Sequence, residues 1–279
     1  MTHAPQDRAQ QQLFDRQALA ARRARRQADA LFLHHMARDE AEDRLSLVNR
    51  TFTAPAVVCP FPEVWEGFQL DAKIVSDADV LELEQGAHDV VIHAMCLHWA
   101  NDPVGQLIQC RRALKEDGLL LVILLGGQTL HELRAAMAEA ETAVLGGLSP
   151  RVAPMGEIRD LGGLLQRAGF ALPVADLVPL TAEYRDLTHL IHDLRGMGET
   201  NALAQRLKRP APRTLFQLAD HIYRAHFATA NGRLPATFEL VCLTGWSPSD
   251  SQQKPLRPGS AQMRLADALR VPESKLGPR

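Results

Sequence analysis

With 279 residues and 46% hydrophobic side chains, the chain has material for one or two domains around a sizeable buried core. Thirty-one Lys and Arg against 33 Asp and Glu leave a net charge of -2, so bulk electrostatics favour neither nucleic acid nor an anionic membrane. Cys59, Cys96, Cys110 and Cys242 form no C-x-x-C pair, which disfavours a zinc ribbon or thioredoxin-like site and is expected of reduced thiols in a cytoplasmic protein.

The first element is a basic helix carrying Arg16, Arg22, Arg23, Arg25 and Arg26 beside the apolar stretch Ala28 to Leu33. It is Arg-rich like a transit peptide, yet Asp7, Asp15 and Asp29 are unusual there. Its expected state is a solvated face of a mature helix, with docking on an acidic partner as the alternative. The start, MTHAPQDRAQ, has no signal-peptide apolar region. No apolar run reaches the roughly 20 residues of a membrane helix, the longest being Leu119 to Leu125.

Ala56-Val-Val58 is expected as the first strand and Ala72-Lys-Ile-Val75 as the next. From Asp89 onward, short apolar runs alternate with amphipathic helices in the order of a parallel sheet. Asp89 to Ala94 reads as a buried strand, followed by a helix with Asp102 as N-cap, Pro103 as first residue and Gly118 as the stop. Leu119 to Leu125 is the next buried strand. After Gly126-Gly127, Thr129 and Glu132 predict a capping box for a helix striped by Leu130, Leu133, Met137, Ala140 and Val144. A further helix carries Ile158, Leu161, Leu164 and Leu165 and stops at Gly169. Thr188 to Ala230 reads as mostly helical, and Thr237 to Thr244 as a strand with Phe238, Leu240 and Cys242 facing one way. The polar, Pro-containing end from Ser247 is expected as an extended tail.

Several phrases together resemble the mitochondrial complex I assembly factor 5 family and its bacterial relatives, a branch of class I methyltransferase-like proteins. They are FDR at Phe14 to Arg16, HDVVIHAMCLHWANDP at His88 to Pro103, GGQTLHELR at Gly126 to Arg134 and LSPRVAPM at Leu148 to Met155. DLGGLLQRAGF at Asp160 to Phe170, DLRGMGETN at Asp193 to Asn201, LPATFEL at Leu234 to Leu240 and RPGSA at Arg257 to Ala261 continue the series. The resemblance implies an α/β, Rossmann-like class I methyltransferase fold with an antiparallel strand near its end, S-adenosylmethionine as the family's cofactor, and a link to respiratory complex I assembly. In mitochondria that family is linked to hydroxylation of an arginine on a complex I subunit, and related enzymes of biotin synthesis methylate an acyl-carrier substrate. The expected layout is a helical N-terminal extension over 1–45, a methyltransferase-like domain over 46–246 with a helical insertion at about 187–231, and a tail over 247–279.

Two features depart from that pattern. Class I methyltransferases place a glycine-rich turn after the first strand so that backbone amides approach the cofactor, but here Cys59-Pro60-Phe61-Pro62 follows it, with no glycine until Gly67. Proline fixes φ and removes a donor, so the usual cradle cannot form. Val58 and Val90 are also only 32 positions apart, where three crossovers and two strands need about 45 residues. The first half is therefore truncated by about one strand and its crossovers.

Mapped by the resemblance, Asp77 stands where an acid contacts the adenine amino group, and Ala94 and Met95, with His93, would line a residual cofactor pocket. The ribose-binding acid has no counterpart; Asp71 lies too close to the next strand. His98 and Trp99 follow the fourth strand of the family fold, where the ligand pocket opens, and are candidates for contacting a substrate or partner, with capping of the core as the alternative. His93 is expected to fill the pocket as a structural residue. His34, His35 and His131 show no convergent carboxylate or cysteine cluster, so no metal site is expected. Gly126-Gly127 reads as a turn, and Gly196-Met-Gly198-Glu199 as a helix-ending turn or a substrate-facing lid.

Two functional readings remain. One is a methyltransferase-fold protein without ordinary S-adenosylmethionine binding that acts on or binds a protein partner, such as a complex I subunit or assembly intermediate. The other is an S-adenosylmethionine-dependent methyltransferase or protein-modifying enzyme with a rebuilt pocket. A dinucleotide oxidoreductase needs glycines at the same turn and is disfavoured.

Overall fold

A computed structural model describes residues 12–68, 71–252, 263, 267, 268 and 270. The chain divides into two compact units, Met1–Pro248 and Ser249–Arg279. The RPGSA phrase and most of the expected tail lie outside the described residues.

The first unit is built on a six-stranded sheet: β1 (Pro55–Val58), β2 (Lys73–Val75), β3 (His88–Ala94), β4 (Leu114–Leu125), β5 (Ala171–Tyr184) and β6 (Leu234–Trp246), in spatial order β2-β1-β3-β4-β6-β5. The first four strands are parallel, and β6 runs antiparallel to both β4 and β5. The protein is α/β and Rossmann-like, and the truncation is visible in the topology. A doubly wound sheet has two strands outside the first, whereas here β2 alone lies outside β1. A single 3-10 turn, Pro62–Trp65, stands where a crossover helix would be.

Strand alternation sorts the core into two layers. Val57, Ile92, Leu121, Ile123 and Cys242 face one side, against α2 (Phe32–Leu47), α4 (His131–Leu145), α6 (Leu187–Gly196) and α7 (Arg213–Phe227). Val58, Val91, Leu120, Val122 and Leu243 face the other, against α3 (Pro103–Ala113) and α5 (Ile158–Arg167). Asp102 caps α3 by accepting from the Gly105 N–H at 2.8 Å, with Pro103 in the first turn.

Two local expectations are corrected. Gly118 does not stop α3, which ends at Ala113; it lies within β4, because Leu114 already pairs with His88. Thr129 and Glu132 form no capping box: Leu130, at φ +54°, precedes α4 with no side-chain cap. The Thr129 hydroxyl donates to Gly126 O at 2.7 Å, and Glu132 accepts from Thr237. The expected mostly helical stretch from 188 to 230 is present as α6 and α7, joined by the irregular segment 197–212. The unpredicted strand β5 contains Pro173 and Pro179, which an edge position tolerates because one row of N–H groups has no ladder partner.

Candidate functional site

The basic N-terminal helix α1 (Arg16–Arg23) is not simply a solvated face, because Leu19 and Arg23 are buried. It is docked through the FDR phrase. Phe14 packs edge-on against Trp99 with ring centroids 5.1 Å apart, and its N–H and C=O pair with the Asn101 side chain at 2.9 and 3.1 Å. Asp15 caps α1 at the Ala18 N–H and pairs with Arg206 at 2.9 Å. Arg16 and Arg23 both reach the Asp77 carboxylate, at 3.2 and 2.7 Å. Burial opposes the Arg23 charge, but the carboxylates of Asp77 and Glu199 outweigh it and raise its pKa.

Asp77 is thus only 8% exposed and is engaged by two guanidinium groups supplied by α1. A cavity of about 290 Å³ beside it is lined by Arg16, Arg23, Arg26, Pro60 and Phe61. The residues after β1 offer few free amides: Pro60 and Pro62 have none, and the Cys59 N–H donates to Val75 O at 3.1 Å. Phe61 is fully buried, edge-on to His34 at 4.7 Å and under the Arg26 guanidinium at 5.2 Å. Burial pushes the Cys59 thiol up to about 12. Asp71 is exposed ahead of β2.

The residue that organises the neighbouring side is Glu199. Its Oε2 accepts from Trp99 Nε1 at 2.6 Å and lies 3.3 Å from His98 Nε2, and its Oε1 lies 3.7 Å from His34 Nε2. Burial opposes ionisation of this carboxyl, yet His34, His98 and Arg23 together hold it well below the usual carboxylate range. Burial lowers the pKa of His34, with Glu199 working in the other direction. His34 thus faces the Glu199 carboxylate across 3.7 Å, a pairing that only the fold brings about. No group of three or more His, Cys, Asp or Glu side chains among the described residues could hold a metal ion.

The Gly196-Met-Gly198 turn serves this arrangement. Gly198 sits at φ +76°, and a Cβ there would come 3.1 Å from the Arg23 Cα, so α1 rests directly on its backbone. A Cβ on Gly196 would meet Ala30 at 2.6 Å, while its carbonyl accepts from the Gln27 N–H. The family phrases FDR, HWAND and GMGETN, far apart in the chain, therefore meet at one place.

His98, Trp99 and Glu199 line a pocket of about 670 Å³ beyond the C-terminal ends of β3 and β4, where α/β sheets bind ligands. Ala94 and Met95 are buried at the end of β3, with Met95 at φ +54°; neither lines this pocket. The Gly126-Gly127 turn is held by Glu239, which accepts from the Gln128 N–H at 2.7 Å. His131 lies 3.3 Å from Glu132 at the start of α4.

His93 is fully buried, bonded through Nε2 to Gln106 at 2.9 Å and 3.5 Å from Cys96 Sγ. Burial lowers its pKa from 6.5 to about 4, so the folded protein keeps it neutral where the unfolded chain binds a proton. Its contribution is complete above pH 6.5 and is lost as pH falls toward 4, an expected loss of about 2–3 kcal/mol. Urea unfolding of the wild type and His93→Gln across this range checks it: the variant should show a shallower decline, and parallel declines would refute it.

The chain is similar in sequence to known proteins. Residues 56–122 match a family described as methyltransferase domain. Over 198 residues, 71% of this chain, it is 35% identical to the mitochondrial arginine-hydroxylase NDUFAF5 of Danio rerio, covering 61% of that protein. The Homo sapiens NDUFAF5 is 34% identical over the same share of this chain, covering 57% of its own length. A malonyl-[acyl-carrier protein] O-methyltransferase of Laribacter hongkongensis is 34% identical over 188 residues, 67% of this chain and 61% of that protein. The chain thus spans less than two thirds of the length of these curated relatives. Its sequence is thus similar to class I methyltransferase-like proteins, NDUFAF5 among them, and its sheet, with an antiparallel β6, has the Rossmann-like order.

Proposed function

We propose that this protein does not hold S-adenosylmethionine in the way usual for its family and instead acts on, or binds, a protein partner. The single observation carrying this reading is the engagement of Asp77 by Arg16 and Arg23. A carboxylate held by two guanidinium groups is a poor acceptor for an adenine amino group, and α1 lies where the nucleoside would approach. Pro60 and Pro62 supply no amides, and the Cys59 amide is taken by β2. These residues do not fit the cofactor.

The relatives named as arginine-hydroxylase support a partner among the proteins of complex I assembly, with His98 and Trp99 beside the surface that receives it. Four buried free thiols fit a reducing, cytoplasm-like compartment, although the hydroxylase relatives are named mitochondrial. Among the described residues no helix is long and apolar enough to cross a membrane.

Calorimetric titration of the full chain with S-adenosylmethionine and S-adenosylhomocysteine is the test. No saturable heat is expected. Ordinary micromolar binding of either would overturn the reading and favour an enzyme with a rebuilt pocket.

A further inference from the structure

The pocket of about 670 Å³ has the size of a small-molecule site. Its lining is divided by exposure. Leu33, Leu125, Leu133, Met137 and Phe238 are buried, whereas Arg195, Lys208 and Arg209 are exposed. Arg22 and Arg206 complete a basic edge, and Glu199 is the one carboxylate in the lining among the described residues. That carboxylate is already committed to Trp99 and His98.

Arg22 is the sharpest sign of an absent counter-charge. Its Nη1 is buried without a hydrogen-bond partner. Burial, reinforced by repulsion from Arg206, lowers its pKa. Arg206 pairs with Asp15 and Arg151 with Glu141, whereas among the described residues no ion pair is found for Arg22, which Asp15 favours only from a distance. A buried donor without an acceptor is unfavourable, and an anion at that position would satisfy it.

From this division we infer that the pocket binds a small amphipathic anion, its apolar chain against Leu33, Leu133, Met137 and Phe238 and its anionic head among Arg22, Arg195, Lys208 and Arg209. The inference deepens the proposed function insofar as that reading makes the His98–Trp99 side the working site. Its test is separate, because S-adenosylmethionine takes no part in it.

The probe is dodecanoate below its micellar concentration, titrated into the full chain by calorimetry, with octanoate, dodecyltrimethylammonium and a hexaglutamate peptide in parallel. Dodecanoate should bind saturably with one site. Octanoate should bind at least about tenfold more weakly, because each buried methylene contributes to affinity. Arg22→Gln should weaken dodecanoate about tenfold, since it removes a charge-assisted donor. The exposed variants Arg195→Gln, Lys208→Gln and Arg209→Gln should each weaken it about 2–5-fold and leave folding unchanged. Leu133→Trp, which fills the apolar part, should abolish binding while far-UV circular dichroism and cooperative unfolding report a folded chain.

Equal binding of dodecyltrimethylammonium would mean that the basic edge selects nothing, and would overturn the inference. So would binding of hexaglutamate with dodecanoate ignored, which assigns the edge to an acidic protein segment. Absence of saturable dodecanoate binding by the folded wild type would overturn it as well. If S-adenosylmethionine binds while dodecanoate also binds as described, the cofactor reading fails and the anion site stands.

Discussion

Replacing Asp77 by alanine is expected to lower stability by about 3–5 kcal/mol, because it strips a buried guanidinium of its carboxylate. Arg23 is 8% exposed and contacts Asp77 at 2.7 Å, and Arg16 loses the same partner at 3.2 Å. The loss should appear first in α1. This helix is joined to the rest of its unit by a handful of contacts, among them the Phe14–Leu203 bridge and the Asp15 amide to Ala202 O at 2.8 Å. Local release is therefore an alternative to global unfolding. Hydrogen exchange of α1 amides should accelerate in Asp77→Ala by more than that of β3 or β4, and urea unfolding should report the stability change. Asp77→Asn keeps an acceptor and should lose about 1–2 kcal/mol. A loss below about 1 kcal/mol for Asp77→Ala would show that water, not the carboxylate, solvates these arginines.

Glu199→Ala is the second large effect, again about 3–5 kcal/mol, since the buried Trp99 N–H and His98 lose their acceptor together. Glu199→Gln retains an acceptor for Trp99 at 2.6 Å and should cost distinctly less. The pH dependence has a defined sign. The folded carboxyl is held below its ordinary value despite burial, so its contribution is complete above the ordinary carboxylate range and is lost as pH falls through the depressed value. His34, lowered by burial, adds an acid-side loss that begins at higher pH, below its ordinary 6.5. Urea unfolding from pH 7 to pH 3 should therefore show Glu199→Ala already destabilised at neutral pH. If its stability matched the wild type there, the network would not be holding the turn after α6 against α2 and the His98–Trp99 turn.

Much of the sheet was legible because β1, β3 and the Leu119–Leu125 part of β4 are uninterrupted apolar runs and β6 alternates, although β4 and β6 both begin earlier than those patterns announce. Buried parallel strands must be apolar on both faces, and that constraint is written locally. The strand β5 was not legible: its prolines argue against a ladder, and only its place at the sheet edge removes the conflict. The capping box failed for a related reason. Thr129 and Glu132 have the right spacing, but Gly126 and Thr237 compete for both side chains. In sequence Glu199 stands out only as part of the Gly196–Glu199 phrase. Its partners are about 100 and 165 positions away, at Trp99 and His34, and no local pattern announces them.

By itself, the sequence determined the fold class, the missing strand and the loss of the glycine turn, because strand burial, chain reach and proline chemistry are local properties. Only the tertiary structure decided what took the place of that turn. Docking brings Arg16 and Arg23 onto Asp77, and Glu199 onto His98 and Trp99, across long stretches of chain. In sequence the arginines read as a solvated charge run. Their partners become definite only when folding removes water and makes each buried charge require one.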